Sequence, residues 1–104
     1  MVSPLSPVEA QELIARGTFD IVDVREPAEW SHGHLPGARL VPLQRLRTNP
    51  RDSLQRDGII FVCAAGVRSQ AAAKAAEASG FTNLYNLTGG TRSWVNAGFA
   101  LVSD

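Results

Sequence analysis

The chain reads as an α/β domain, a mainly parallel sheet with helices on both faces, and three observations predict it. Short apolar runs at Phe19 to Val24, Arg39 to Val41, Ile59 to Val62 and Leu84 to Leu87 alternate with stretches of helical pattern. The run Ile59-Ile60-Phe61-Val62 is apolar at every position, which suits a strand covered on both sides. An alanine-rich stretch follows it across one short loop, the order of strand, loop and crossover helix. A length of 104 residues fits one domain over 1–104 with a modest core and leaves no room for a second.

Each element has its own local cause. Ser6 suits a helix N-cap, Pro7 the first helical position, and Glu9 closes a capping box three residues after the cap. Ala10, Leu13 and Ile14 then share one face and Gly17 ends the helix. Phe19 to Val24 reads as a central strand, and Pro27 to Ser31 as a helical turn or two. His32-Gly33-His34 breaks that turn, and Leu35-Pro36-Gly37-Ala38 leads into a short strand at Arg39 to Val41. Leu43 to Leu54 reads as short helices broken around Asn49-Pro50. After Ile59 to Val62 comes a helix from about Arg68 to Ser79, with Gly80 and Phe81 as its stop and apolar clasp. Its alanines at 71, 72, 73, 75, 76 and 78 let it lie close on the sheet. Leu84 to Leu87 is the next strand, Gly89-Gly90 a turn, and Thr91 to Ala97 a last helix before Gly98.

Composition narrows the function. Lysine plus arginine balances aspartate plus glutamate, so no basic face for nucleic acid is implied. No apolar run approaches membrane-spanning length, and Met1-Val2-Ser3-Pro4-Leu5 lacks the pattern of a signal peptide, so no membrane partner and a cytoplasmic location are expected. The single cysteine, Cys63, makes no internal disulfide and has no resolving thiol in cis.

Cys63 opens the stretch Cys63-Ala64-Ala65-Gly66-Val67-Arg68-Ser69 directly after the apolar strand. A strand, a tight loop and a helix N-terminus form the place where a parallel α/β protein puts anion-binding or nucleophilic chemistry. Backbone N–H groups and the positive helix end favour a thiolate there. A fall in pKa from about 8.5 to about 6.5 raises the thiolate fraction at neutral pH from roughly 3% to about 75%. The bland alternative is a buried, inert cysteine, the common fate of a lone one. The position before Gly-x-Arg-Ser favours the reactive reading.

Three stretches in register, Asp23 to Ala38 (DVREPAEWSHGHLPGA), Cys63 to Ser69 (CAAGVRS) and Leu87 to Gly98 (LTGGTRSWVNAG), resemble the signatures of the rhodanese family. The resemblance covers nearly the whole chain and implies a three-layer rhodanese-like fold with a sheet of about five strands. It implies a sulfurtransferase with no metal or organic cofactor. By that resemblance Cys63 would take sulfane sulfur from a donor such as thiosulfate, hold it as a persulfide, and pass it to cyanide or a thiol. The backbone of Ala64, Ala65, Gly66, Val67 and Arg68 would surround the sulfur, Gly66 letting the loop curl. Phosphatases of related fold place five residues between cysteine and arginine, and here there are four. One residue adds roughly 3.3 Å of contour, so the shorter loop favours a single sulfur over a tetrahedral phosphate. Ala64 and Ala65 stand where active thiosulfate enzymes of the family often carry polar or cationic residues. Polysulfides, organic persulfides or a protein persulfide therefore fit better than free thiosulfate, and the alternative function is a sulfur relay with a protein acceptor.

The remaining candidates have simpler readings. Arg68 is assigned to the loop and its anion, and Ser69 to a hydrogen bond at the helix start. Asp23 and Arg25 lie at the carboxyl edge beside Cys63 and are read as scaffold. His32 and His34 have no cysteine or carboxylate at ligand spacing, so no metal is expected, and His34 is assigned to the turn at Leu35-Pro36-Gly37. Trp30 and Trp94 are packing residues, Trp94 near enough to Cys63 to report on it by fluorescence. Arg45, Arg47, Arg51 and Arg56, diluted by Asp52 and Asp57, form a solvated face. A monomer is the simplest expectation.

Overall fold

A strand with no polar side can only sit inside a sheet covered on both faces, and Ile59-Ile60-Phe61-Val62 does so. A computed structural model describes residues 1–103. Its elements in chain order are β1 (Val2–Leu5), α1 (Pro7–Ala15), β2 (Asp20–Asp23), α2 (Pro27–Trp30), β3 (Arg39–Leu40), α3 (Leu43–Thr48), α4 (Pro50–Ser53), β4 (Ile59–Val62), α5 (Val67–Ala78), β5 (Leu84–Leu87) and α6 (Gly90–Asn96). The five strands are parallel and lie in the order β1-β5-β4-β2-β3, so β4 is the middle of the sheet.

Side chains alternate along each strand, and the two core layers follow that alternation. Ile59, Phe61, Val22 and Leu84 pack on one face with Leu46 of α3 and Ala72, Ala73 and Ala76 of α5. Ile60, Val62, Ile21 and Leu87 pack on the other with Ala10 of α1 and Trp94 of α6. Ala72, Ala73 and Ala76 of α5 are fully buried, as their size anticipates, while Ala71 and Ala75 are half-buried and Ala78 is exposed. The capping box of α1 forms as its sequence requires: Glu9 N donates to Ser6 Oγ at 3.1 Å and Ser6 N to Glu9 Oε1 at 2.9 Å.

The first strand is a finding the sequence reading lacks. Val2-Ser3-Pro4-Leu5 contains a proline, which has no N–H for a ladder. It is tolerated because β1 lies at the sheet edge and pairs only with β5, in the register Val2 to Leu84 through Leu5 to Leu87. The other elements stand where the sequence puts them, with shifted ends: β3 is two residues long, and α5 and α6 each start and stop one residue earlier than expected, at Val67–Ala78 and Gly90–Asn96.

Asp23 ends β2 opposite Val62, and its carboxylate is fully buried. Arg25 answers it from two residues on, with Nη2 at 2.8 Å and Nε at 3.0 Å, and the same Nη2 donates to the Gly33 carbonyl at 2.8 Å. The pair ties the carboxyl end of β2 to the turn after α2, the scaffold role its position suggests. Removing one partner of a buried pair leaves the other charge uncompensated. Asp23→Ala is expected to lower unfolding free energy by about 3–5 kcal/mol, read from urea denaturation of both proteins.

Candidate active site at the end of β4

The loop that follows β4 is shaped by glycines that no other residue replaces. Gly66 is the N-cap of α5 with φ +94°, and a Cβ there would lie 3.0 Å from Gly89 N. Gly90, at φ +62°, packs so closely that a Cβ would overlap the carbonyl of Cys63. The first turn of α6 then fastens the loop: Thr91 N donates to Cys63 O at 2.8 Å and Arg92 N to Ala64 O at 3.2 Å.

Cys63 is 1% exposed, and its sulfur turns into the loop. Gly66 N donates to Sγ at 3.1 Å, and Ser69 Oγ lies 3.2 Å from it. Burial pushes the thiol's pKa up, but the Ser69 hydroxyl and the backbone N–H groups of Ser69, Ala65 and Gly66 outweigh it. The net result lies below the ordinary thiol value. Of the loop amides the sequence assigns to the sulfur, that of Gly66 hydrogen-bonds it, that of Ala65 helps to lower its pKa, and Ser69 adds one beyond that set. Ala64 is half-buried and fastened through its carbonyl, while Ala65 and Val67 are exposed at the rim, Val67 by 77%.

Ser69 is itself held. Its hydroxyl donates to Asn86 Oδ1 at 2.6 Å. Asn86 Nδ2 donates to the Gly66 carbonyl at 3.1 Å and to Gln70 Oε1 at 3.0 Å, which fixes the amide's orientation. Asn86 escaped the sequence reading. Its signal was an amide inside the apolar strand Leu84-Tyr85-Asn86-Leu87, where asparagine is disfavoured without a specific partner.

Arg68 differs from its expected pose. Both guanidinium ends are taken by Glu29 of α2, Nη1 to Oε1 at 2.7 Å and Nη2 to Oε2 at 2.8 Å. The Arg68 hydrogen bonds hold the Glu29 carboxyl well below the usual range, at about 2. The same partner pushes the arginine's pKa up. Arg68 thus anchors α5 to α2 and does not stand ready for an anion. Glu29 carried no sequence signal by itself, because its partner lies in a distant segment.

His34 Nδ1 lies 3.0 Å from the Leu35 carbonyl and its ring stacks on Trp30 at 3.6 Å, so it does hold the turn. Trp94 packs in the sheet layer opposite that of Cys63, its indole N–H donating to the Ala100 carbonyl at 3.0 Å. Among the described residues no cluster of histidine, cysteine or carboxylate could hold a metal. No helix among them is long and apolar enough to cross a membrane. The arrangement offers a thiol in a cradle of N–H donors, suited to stabilising an anionic sulfur species.

The family model for the rhodanese-like domain matches residues 6–97. The uncharacterized protein YqhL of Bacillus subtilis is 38% identical over 71% of this chain and 59% of its own length. The putative sulfur carrier protein YrkF of the same organism is 31% identical over 81% of this chain and 45% of its own length. The chain therefore spans about half the length of these two relatives. The thiosulfate sulfurtransferase GlpE of Ectopseudomonas mendocina is 33% identical over 86% of this chain and 82% of its own. Among solved structures, the rhodanese-related protein from Thermoplasma volcanium superposes with a TM-score of 0.87 at 29% identity, covering 98% of this chain and 99% of that one.

The sulfur's surroundings make a direct expectation. Alkylation of Cys63 by iodoacetamide should reach half its limiting rate below the ordinary thiol value of about 8.5. Ser69→Ala should move that midpoint up, and an unmoved midpoint would show that the hydroxyl does not support the thiolate.

Proposed function

We propose a sulfur-transfer function for this chain, which belongs to the rhodanese-like domain family. The observation that carries it is the inward-turned Cys63 sulfur, in reach of the Gly66 amide and the Ser69 hydroxyl at the junction of β4 and α5. In the first half-reaction the thiolate attacks the outer sulfur of a donor. A bond forms between Sγ and that sulfur, the donor's S–S bond breaks, and the electron pair leaves with sulfite or a thiolate. In the second, an acceptor thiolate or cyanide attacks the outer sulfur of the persulfide and the pair returns to Sγ. No external oxidant enters, and kinetics should be ping-pong. Amides of Ala65, Gly66 and Ser69 offset the negative charge of thiolate and persulfide alike.

Cys63 is the catalytic residue in this reading, and Ala64 to Arg68 form the loop that meets the donor. The acting form is a monomer in the cytoplasm, where a reducing milieu keeps the lone thiol free. A second reading, a relay that hands sulfur to a protein, draws support from the exposed Val67 beside Ala65 at the loop's rim. An apolar rim suits contact with another macromolecule more than capture of a small dianion.

Intact mass under non-reducing conditions tests the core of the proposal. Incubation with thiosulfate or polysulfide should add one sulfur atom to the native protein and none to Cys63→Ser, and unchanged labelling in that variant would overturn it. Ala64→Arg should raise kcat/KM for thiosulfate severalfold by placing a cation at the rim, measured as thiocyanate formed with cyanide. The relay reading expects transfer to a protein acceptor to outpace transfer to cyanide by orders of magnitude, and equal rates would remove it.

A further inference from the structure

The cation the loop carries is already spent. Arg68 is the one guanidinium within Cys-x-x-Gly-x-Arg, and Glu29 occupies both of its ends at 2.7 and 2.8 Å. The other charged pair beside β4, Asp23 with Arg25, is closed and buried. Arg68 feels the charges of Glu29, Cys63 and Asp23, and Glu29 those of Arg68 and Arg25. With both pairs neutral in sum, a Cys63 thiolate is the uncompensated charge within Cys63 to Arg68, and the alanines at 64 and 65 add nothing against it. Arg92, whose backbone N–H donates to the Ala64 carbonyl, is an exposed cation outside that stretch.

Resting on the sulfurtransferase reading, we propose that Glu29 is a positioning residue that sets donor specificity: by clamping Arg68 it selects donors that bring at most one negative charge. Thiosulfate brings two charges to a site that already holds one, whereas an organic persulfide anion brings one and its protonated form none. Either gives the same exchange. The thiolate bonds to the outer sulfur, and the donor's S–S bond breaks. The pair departs as sulfite from thiosulfate and as a thiolate from a persulfide. The geometry suits this role because the clamp is bidentate and partly shielded, with both side chains 36% exposed. Glu29 Oε1 also accepts from Glu26 N at 3.1 Å, a bond that a glutamine keeps.

The charge can be isolated with two donors of the same shape. Methanethiosulfonate replaces one charged oxygen of thiosulfate by a methyl group and carries one charge fewer. In the native protein kcat/KM should favour methanethiosulfonate, and the value for thiosulfate should rise with added salt as like charges are screened. In Glu29→Gln the efficiency with thiosulfate should rise about tenfold and that with methanethiosulfonate about threefold, so their ratio shifts. Arg92, exposed on the first turn of α6, is common to both proteins and cancels in this comparison. A damaged fold would lower both donors together, and an unchanged ratio would overturn the proposal while leaving sulfur transfer intact. A native preference for thiosulfate that falls with salt would overturn it without any variant. If Cys63 gains sulfur from neither donor nor from polysulfide, the sulfur-transfer reading itself fails and takes the proposal with it.

Discussion

The loop after β4 and the turn after β5 meet backbone to backbone, and the rest of the site is arranged around that contact. Gly66 faces Gly89, and Gly90 lies against the Cys63 carbonyl with no room for a side chain. Because the approach is this close, the first N–H groups of α6 reach the carbonyls of Cys63 and Ala64. Those bonds turn the loop's oxygens outward to α6 and leave its N–H groups free to face the sulfur. Two parallel neighbours, β4 and β5, bring the two loops to one edge of the sheet, and the small residues let them close.

Inside that frame the polar groups are few and fully engaged. Asn86 uses its amide hydrogens on Gly66 O and Gln70 Oε1, and its oxygen on Ser69. Ser69 has a single proton and two acceptors near it. While it serves Asn86 it can only accept from a Cys63 thiol, and serving a thiolate means turning away from Asn86. The backbone amides are thus the constant part of the sulfur's environment and the hydroxyl its adjustable part. A buried acceptor on Asn86 left without its donor opposes that turn. The two terms set how far the thiol's acidity is raised by the loop.

Where signals are local, the sequence carried the answer. The capping box at Ser6 and Glu9, the apolar run of β4, the alanines of α5 and the glycines at 66, 89 and 90 act over a few residues and stand where they were read. What escaped depends on pairs far apart in the chain. A strand with a proline is visible only once β5 is known to lie beside it. Arg68 was read by its place in the loop, and its true partner sits on α2. Ser69 was assigned a helix-start bond, and its hydroxyl instead links Cys63 to Asn86. In each case the residue type was right for a polar contact, and the neighbour that claims it was fixed by the fold.

The pairing of β1 with β5 has a consequence in time. β4 is flanked by β2, made before it, and by β5, made after it, while β1 waits for β5 until about eighty further residues are made. The bonds that fasten the Cys63 loop come from residues 91 and 92, and Asn86 comes from β5 itself. A nascent chain that has released Cys63 but not residues 86 to 92 therefore lacks the groups that fasten the loop around the sulfur. The surroundings that favour a thiolate thus depend on residues translated after Cys63, and a chain cut between Cys63 and Asn86 lacks them.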